Sequence, residues 1–308
     1  MNTKRSLLLV SVIVIVGALV GFRYNAGKQI LHGISEKPTS PVSVVSPDSE
    51  KSTSSEYSGY PVPPDFMAVS SPDVGKDTSS RGLPVVAIVI DDFGYSLKLA
   101  EALSRLAIPT TWTIIPDTAY GLRIARMAED HNIPFLIHVP MQAISDVERS
   151  KYLIGDGMTY SEIRTEINRL AGLFPNAYGI SNHRGSKATS DPNIMDAVMD
   201  ELSGRKLIFL DSRTSVRSVA YDEALKKGIP AIYNSIFLDH VDSPDFMAEQ
   251  FFRAKKIARR RGWVVVICHV RPGTLTFLSK LCIKSDNDVE FFTVPELLKK
   301  LPEPKEVS

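Results

Sequence analysis

The sequence lacks an excess of charge of either sign. Its 308 residues include 36 lysines and arginines against 35 aspartates and glutamates, for a formal net charge of +1. A surface that binds nucleic acid needs many cations to neutralise phosphates, so this balance argues against nucleic acid as a partner. A neutral or mixed-charge substrate fits the composition better.

Cysteine is scarce as well. Cys268 and Cys282 are the only two, they form no CxxC pair, and no second pair is present to build a metal cluster. One disulfide in an oxidising compartment and two buried thiols both fit this pattern. The chain also lacks an internal repeat, and its 44% hydrophobic residues suffice for one large domain. We therefore expect one folded domain with tails.

The apolar run at residues 7–22 falls short of the ~20 residues of a comfortable membrane span. Lys4 and Arg5 precede it, as in the charged and apolar regions of an export segment. The small residues near Ala26 make a poor cleavage site, which favours an uncleaved anchor over a cleaved signal peptide. In either case the rest of the chain is predicted to be exported.

Composition divides the remainder. Residues 1–27 form the predicted anchor or signal segment, and residues 28–82 form a linker that is rich in Ser and Pro. Such a linker cannot bury enough apolar area to offset the entropy of ordering it, so it is predicted to be a flexible tether. The folded domain is predicted over 83–301, with a C-terminal tail at 302–308.

Short β-branched runs alternate with amphipathic segments through the folded domain. LPVVAIVI at 83–90 is a continuous apolar run, typical of a strand that is buried on both faces. SLKLAEALSRLA, which follows it, carries apolar residues at helical spacing. About seven such strands, connected by helices, predict parallel pairing in an α/β barrel or an open doubly wound sheet.

Polar residues interrupt the apolar runs where the predicted strands end. Parallel α/β folds place their reactive groups at these carboxyl ends, on a common rim. The residues on this predicted rim are Asp91, Asp92, His138, Asn182, His183, Asp211, Ser212, Arg213, Asp239, His240, Asp242, His269 and Arg271. Fold stability does not require acids and imidazoles at each of these ends, so the rim is the candidate functional site.

Asp91 and Asp92 would repel each other unless a cation or a shared proton relieves them. Carboxylate and imidazole ligands together suit Zn²⁺ and other divalent transition metals, and three protein ligands leave a position open for water and substrate. The predicted ligands are Asp92, His138 and His183. Asp91 would then be free to act as general base on a water at the metal.

Each of these residues also has a structural interpretation. An Asp-Asp pair after a strand can cap a helix, and a strand-end histidine such as His138 can be packed in the core. His183 could shape its loop together with Asn182, and Asp211 could pair with Arg213. The placement of all of them on one rim favours the metal site over these separate interpretations.

Six motifs carry a resemblance to a known family. They are IVIDDFG (88–94), LIHVPMQ (136–142), ISNHRGS (180–186), FLDSRT (209–214), IFLDH (236–240) and ICHVRPGT (267–274). Together they resemble the divergent polysaccharide deacetylase family, a group of exported bacterial proteins. The resemblance covers residues 83–301, which is the whole predicted folded domain.

The resemblance implies a distorted, incomplete (β/α) barrel of about seven parallel strands. It also implies a metal-dependent hydrolase of carbohydrate metabolism that removes acetyl groups from an envelope polysaccharide or peptidoglycan-type glycan. Such a protein would work in the bacterial periplasm or cell envelope, here anchored in the inner membrane by residues 7–22, with Zn²⁺ as the first expectation for the metal.

Roles follow from the matched motifs. They imply a base at Asp91, a metal ligand at Asp92, a metal-binding histidine at His138 and a general acid at His269. The Asp211 segment resembles the one that orients the acid or its partners. Predicted substrate contacts are Asn182, Arg213, Asp239 and Arg271.

The sequence departs from the wider superfamily at its second histidine. The usual His-x-x-x-His motif is absent, because Val-Pro-Met-Gln follows His138. His183 is our candidate for the missing imidazole, at a strand end where the superfamily tends to carry an arginine motif. Two other functions are compatible with the rim, namely a non-catalytic envelope module that binds glycan or protein and a metal-dependent amidase that acts on peptide stems.

Overall fold

The computed structural model describes residues 82–283 and 288–302. The predicted anchor at residues 1–27, nearly all of the predicted linker and the tail beyond residue 302 lie outside these residues. Within the described ranges, no helix combines the length and the apolarity that a membrane crossing requires.

Strands and helices alternate along the chain. The strands are β1 Val85–Phe93, β2 Thr111–Ile114, β3 Phe135–Met141, β4 Gly179–Arg184, β5 Ile208–Asp211, β6 Ala231–Tyr233, β7 Ile236–Phe237, β8 Trp263–His269 and β9 Glu290–Phe292. The helices are α1 Leu97–Leu103, α2 Gly121–Asp130, α3 Tyr160–Leu173, α4 Pro192–Leu202, α5 Ala220–Lys226, α6 Pro244–Arg261, α7 Pro272–Ile283 and α8 Val294–Lys300.

All pairings between these strands are parallel, in the order β6-β5-β4-β3-β2-β1-β8-β7, with β9 paired to the start of β1. Residues 229–239 (IPAIYNSIFLD), a single predicted strand by their apolar pattern, form two strands in the structure. The first, β6, pairs with β5 up to Tyr233, and the second, β7, pairs with β8 from Ile236. Because β6 and β7 end the path but are neighbours in the chain, the sheet curls into an incomplete barrel. The predicted fold is confirmed, with eight strands in the path instead of about seven.

The strands bury apolar side chains on both faces. On β1, Val85, Ala87 and Val89 belong to a small cluster inside the barrel, whereas Val86 and Ile88 belong to the large core under the helices. Burying each such Val or Ile side chain contributes about 1.5–3 kcal/mol. Since side chains alternate along a strand, the residues that continue the inner series at the strand ends face the same cavity. On β1 that residue is Asp91.

Helix α6 sets the position of the last central strand. Ser243 caps its start and Pro244 takes the first helical position, where its missing N–H costs nothing. The helix ends at Gly262, whose φ of 95° is the left-handed conformation that glycine adopts most easily. β8 begins at the next residue, so Arg261 and Trp263 lie close together where the helix turns into the strand.

Both cysteines are free thiols in the structure. Cys268 is fully buried in β8, and burial raises the pKa of its thiol well above the usual value. Cys282 is partly buried in α7. Of the two interpretations that the sequence allowed, the structure has the one without a disulfide.

Candidate metal centre

A backbone kink brings both carboxylates of the Asp-Asp pair to one site. Adjacent residues of a strand normally point to opposite faces, so Asp92 should face away from Asp91. The φ of Asp92 is 70°, however, and the pairing of β1 with β2 shifts register between Ile90 and Phe93. As a result, His138 Nε2 lies 3.4 Å from Asp91 Oδ2 and also 3.4 Å from Asp92 Oδ1.

The three predicted ligands converge. Asp92 Oδ1 lies 3.0 Å from His183 Nδ1 and 3.4 Å from His138 Nε2, and the ligand atoms of the three residues all lie within 4.8 Å of one another. Ligand atoms of a tetrahedral zinc site with bonds near 2.0–2.2 Å are about 3.3 Å apart. The donor set and its spacing therefore fit a divalent metal ion.

Ser181 fixes the orientation of the His138 ring. Its hydroxyl oxygen lies 2.7 Å from His138 Nδ1, and both residues are buried. When Nδ1 carries the proton, it donates to Ser181 and leaves Nε2 free to face the cluster. Sequence reasoning missed Ser181, although the alternation along β4 places it on the same face as His183, two residues later.

We expect Ser181→Ala to weaken zinc binding by about 10–100-fold, because loss of an outer partner frees the ring of a metal-binding histidine. Competition titration with a chelating indicator measures this change. Ser190→Ala is the matched control. Ser190 also donates a hydrogen bond, to the carbonyl of Ser186, but neither of its hydrogen bonds involves a proposed metal ligand. Equal losses in the two variants would contradict the prediction.

The pKa values of the two aspartates are shifted in opposite directions. The Asp91 side chain is 3% exposed and its Oδ1 accepts a hydrogen bond of 2.8 Å from Thr113, a residue that sequence reasoning missed. Burial raises the pKa of Asp91, although His138 and His269 partly oppose it. Burial would also raise the pKa of Asp92, but hydrogen bonds from His138 and His183 bring it well below the usual value. Asp92 thus stays anionic, as a ligand must, while Asp91 accepts a proton more readily.

The cluster is open on one side. The side chains of Asp92 and His183 are 29% and 21% exposed, whereas those of Asp91 and His138 are each 3% exposed. Tyr95, which sequence reasoning also missed, is 64% exposed. Partial burial of its phenol and the negative charge of Asp92 raise the pKa of Tyr95. Solvent and a substrate can therefore approach over Asp92 and His183.

His269 lies beside Asp91, because the two residues are register partners in β8 and β1. Asp239 Oδ1 is 2.7 Å from His269 Nδ1, and Asp239 Oδ2 accepts from the His269 backbone N–H at 2.8 Å and from Thr274 Oγ1 at 2.7 Å. Burial would lower the pKa of His269, but the Asp239 carboxylate raises it to about 9. The imidazole is therefore cationic at neutral pH.

This ion pair makes stability depend on pH. The pKa of His269 rises from 6.5 to about 9 on folding, so its contribution is complete below pH 6.5 and is lost as the pH rises through 9. We expect metal-free protein to lose about 3 kcal/mol of unfolding free energy over that window, relative to His269→Gln. Urea unfolding of both proteins at several pH values measures the difference. Parallel pH profiles would show that the pair is not formed.

Asp211 does not reach this site. It follows Leu210 of the inner cluster, so alternation turns its side chain toward the helices. Its Oδ1 accepts from the Arg213 backbone N–H and its Oδ2 from Ser218 Oγ, both at 2.8 Å. The carboxylate that contacts His269 is Asp239 and not Asp211, so the geometry gives to Asp239 the orienting role expected of the Asp211 segment.

The predicted substrate contacts mostly bond to the protein itself. Asn182 donates to the Arg184 carbonyl and accepts from the Ser212 backbone N–H, which uses both ends of its amide. Arg271 donates to the Asp239 carbonyl at 2.9 Å. The guanidinium of Arg213 lies over the Tyr233 ring. Among the described residues, none of these side chains is hydrogen-bonded to Asp91, Asp92, His138 or His183.

Comparison with known proteins gives consistent matches. The model of the divergent polysaccharide deacetylase family matches residues 88–298. An uncharacterized protein of Haemophilus influenzae is 36% identical over 195 residues, which cover 63% of this chain and 69% of that protein. The uncharacterized protein YibQ of Escherichia coli is 32% identical over 213 residues, 69% of this chain and 67% of YibQ.

A solved structure supports the fold. The crystal structure of an uncharacterized protein from Agrobacterium tumefaciens superimposes with a TM-score of 0.64 at 20% identity, covering 72% of this chain and 92% of that one. At this identity the likeness concerns the architecture alone. These proteins are all described as uncharacterized, so the chemistry has to be argued from the site.

Proposed function

Because the chain belongs to the divergent polysaccharide deacetylase family, we propose that it is a hydrolase that depends on a divalent metal, with Zn²⁺ as the expected ion. Its proposed reaction is the removal of acetyl groups from an envelope polysaccharide or a peptidoglycan-type glycan. The observation that carries the proposal is the convergence of Asp92, His138 and His183 beside the buried Asp91. Holding a glycan would not require two imidazoles and two carboxylates that are largely removed from water.

Asp92, His138 and His183 would hold the cation. When bound, such an ion supplies Lewis acidity, which polarises an acyl oxygen and acidifies water. The exposed side of the cluster leaves room for the acyl group to approach over Asp92 and His183. Ser181 keeps the His138 ring in the orientation that this site needs.

Asp91 would take the proton from the attacking water. Burial raises its pKa, which makes it a better proton acceptor than an ordinary aspartate, and Thr113 holds one oxygen while the other faces the cluster.

His269 would return a proton to the leaving amine or alkoxide. Asp239 keeps the imidazole cationic at neutral pH and holds its Nδ1, which leaves Nε2 as the donor. His269 and Asp91 are register partners on neighbouring strands, which supports their assignment as acid and base. That arrangement suits a reaction in which water attacks an acyl carbon and the leaving atom is protonated.

Ser212 offers a contact for the substrate. Its hydroxyl is buried and has no hydrogen-bond partner among the described residues. It directly follows β5 and lies two residues after Leu210 of the inner cluster, and β5 pairs with the strand that carries His183. A sugar hydroxyl or amide bound beside it would satisfy this group.

Acetate release tests the proposal. The full-length protein, equilibrated with Zn²⁺, is incubated with N-acetylated and O-acetylated amino-sugar oligomers, and free acetate is measured against metal-stripped protein. We expect release only with metal. Tight binding of the oligomers without acetate under every metal condition would favour the binding module, and cleavage of stem-peptide amides alone would favour the amidase.

We also propose that the domain works outside the cytoplasm, tethered to the inner membrane by residues 7–22. The support comes from the charged and apolar pattern of the N-terminal sequence. Membrane fractionation of the full-length chain against a chain that begins at residue 28 tests this. Equal recovery of the two in the soluble fraction would contradict the anchor.

A further inference from the structure

A second concentration of charge lies at the seam of the barrel, where β6 ends at Tyr233 and β7 begins at Ile236. The guanidinium of Arg213 lies 4.0 Å from the centroid of the Tyr233 ring, and that of Arg261 lies 5.3 Å from the same ring and 3.6 Å from the Trp263 ring. The ring of Tyr221 packs edge-on against Tyr233 at 4.9 Å. We call these five residues the seam cluster.

Among the described residues, no carboxylate oxygen lies within 4 Å of a guanidinium nitrogen of Arg213 or Arg261, and the hydrogen-bond acceptors of Arg261 are neutral. Arg261 donates to three neutral oxygens, those of the Tyr233 hydroxyl, the Ser235 hydroxyl and the Trp263 carbonyl, at 3.0, 3.0 and 3.1 Å. The guanidinium of Arg213 has no hydrogen-bonded partner in the part of the chain that the structure describes, and its Nε is buried. The buried carboxylate of Asp211 interacts electrostatically with Arg213, but its oxygens accept hydrogen bonds from the Arg213 backbone N–H and from Ser218 and not from the guanidinium.

Several other arginines of the domain pair with a carboxylate. Carboxylate partners within 4 Å are present for Arg105, Arg164, Arg169, Arg184, Arg205 and Arg259. Arg213 and Arg261 instead both contact the ring of Tyr233. Burial lowers the pKa of Arg261, and the positive charges of Arg260 and Arg213 lower it further. Two like charges that are partly removed from water gain from a shared anion.

We propose that the seam cluster binds an oxyanion, a carboxylate or phosphate group, between the guanidinium groups of Arg213 and Arg261. Guanidinium groups present forked N–H donors that match the two oxygens of such a group, and no side-chain donor of Arg213 is hydrogen-bonded to another described residue. The aromatic rings of Tyr233 and Trp263 keep the two arginines in place through cation–π contacts. The site is separate from the candidate metal centre and does not depend on the proposed hydrolase function.

Intrinsic fluorescence provides the test. The chain has two tryptophans, and Trp112 is fully buried, so Trp263 beside Arg261 is the one that reports on the cluster. Full-length protein is titrated with inorganic phosphate and, separately, with acetate, each against chloride at the same ionic strength. We expect saturable quenching or enhancement with at least one oxyanion and none with chloride, and the two titrations tell phosphate from carboxylate.

Variants locate the binding. Arg213→Gln removes a charge without breaking a side-chain hydrogen bond to the described residues, and we expect it to weaken binding by about tenfold or more. Arg213→Lys keeps the charge, so its affinity for the oxyanion should lie between those of the wild type and Arg213→Gln. Arg123→Gln, at an exposed position of α2, is the control and should bind as the wild type does. An absent oxyanion effect, or equal affinities for Arg213→Gln and Arg123→Gln, would overturn the proposal.

Discussion

Asp91→Asn is expected to lower acetate release by about two to four orders of magnitude while zinc binding stays within a few-fold of the wild type. General acid–base catalysis by a positioned side chain contributes about 10²–10⁴-fold. The amide cannot take a proton, but it has nearly the shape of the carboxylate and can still accept from Thr113. Asp91 is not among the three proposed ligands, so the affinity for zinc should change little. The rate constant of acetate release and the amount of bound zinc are measured on the same preparation.

Asp130→Asn is the matched control, because it makes the same chemical change at an exposed helix end. It should release acetate at the wild-type rate. Full activity in Asp91→Asn would remove Asp91 from the role of base. Loss of zinc together with activity would instead make Asp91 a ligand, and the roles of the two aspartates would have to be exchanged.

Much of the barrel could be predicted from the sequence because parallel strands that are buried on both faces leave long β-branched runs. VVAIVI before Asp91 and VVVIC before His269 are such runs, and both form central strands. The division of residues 229–239 into two strands was not predictable in this way. The segment exchanges partners around Asn234 and Ser235, and a change of partner leaves no mark on the apolar pattern.

The same double burial limited the prediction of the site. When both faces of a strand are apolar, the sequence does not say which face lines the barrel, so Asp211 and Ser212 were equally plausible as inner residues. The structure puts Asp211 under the helices and joins His269 to Asp239 instead. The convergence of Asp91 and Asp92 also depended on a left-handed residue in the strand, which local sequence rarely reveals.

His183→Ala is expected to weaken zinc binding by at least about 100-fold and to reduce acetate release accordingly. Loss of an outer partner alone costs about 10–100-fold in metal affinity, and a direct ligand should cost more. His183 Nδ1 lies 3.0 Å from Asp92 Oδ1, and His183 is our candidate for the missing second histidine of the usual motif. Calorimetric titration of metal-free protein with Zn²⁺ measures the loss. His131→Ala, at an exposed helix end, should bind zinc as the wild type does.

Added imidazole distinguishes a ligand from a residue that only supports the loop. The His183 side chain is 21% exposed, so its removal leaves a space that free imidazole can enter from solvent. If His183 is a ligand, imidazole should restore part of the zinc affinity in His183→Ala and have no such effect in Ser181→Ala, where the ring of His138 is still present. Unchanged zinc affinity in His183→Ala would leave only Asp92 and His138 as ligands. His183 would then be a residue that only supports its loop.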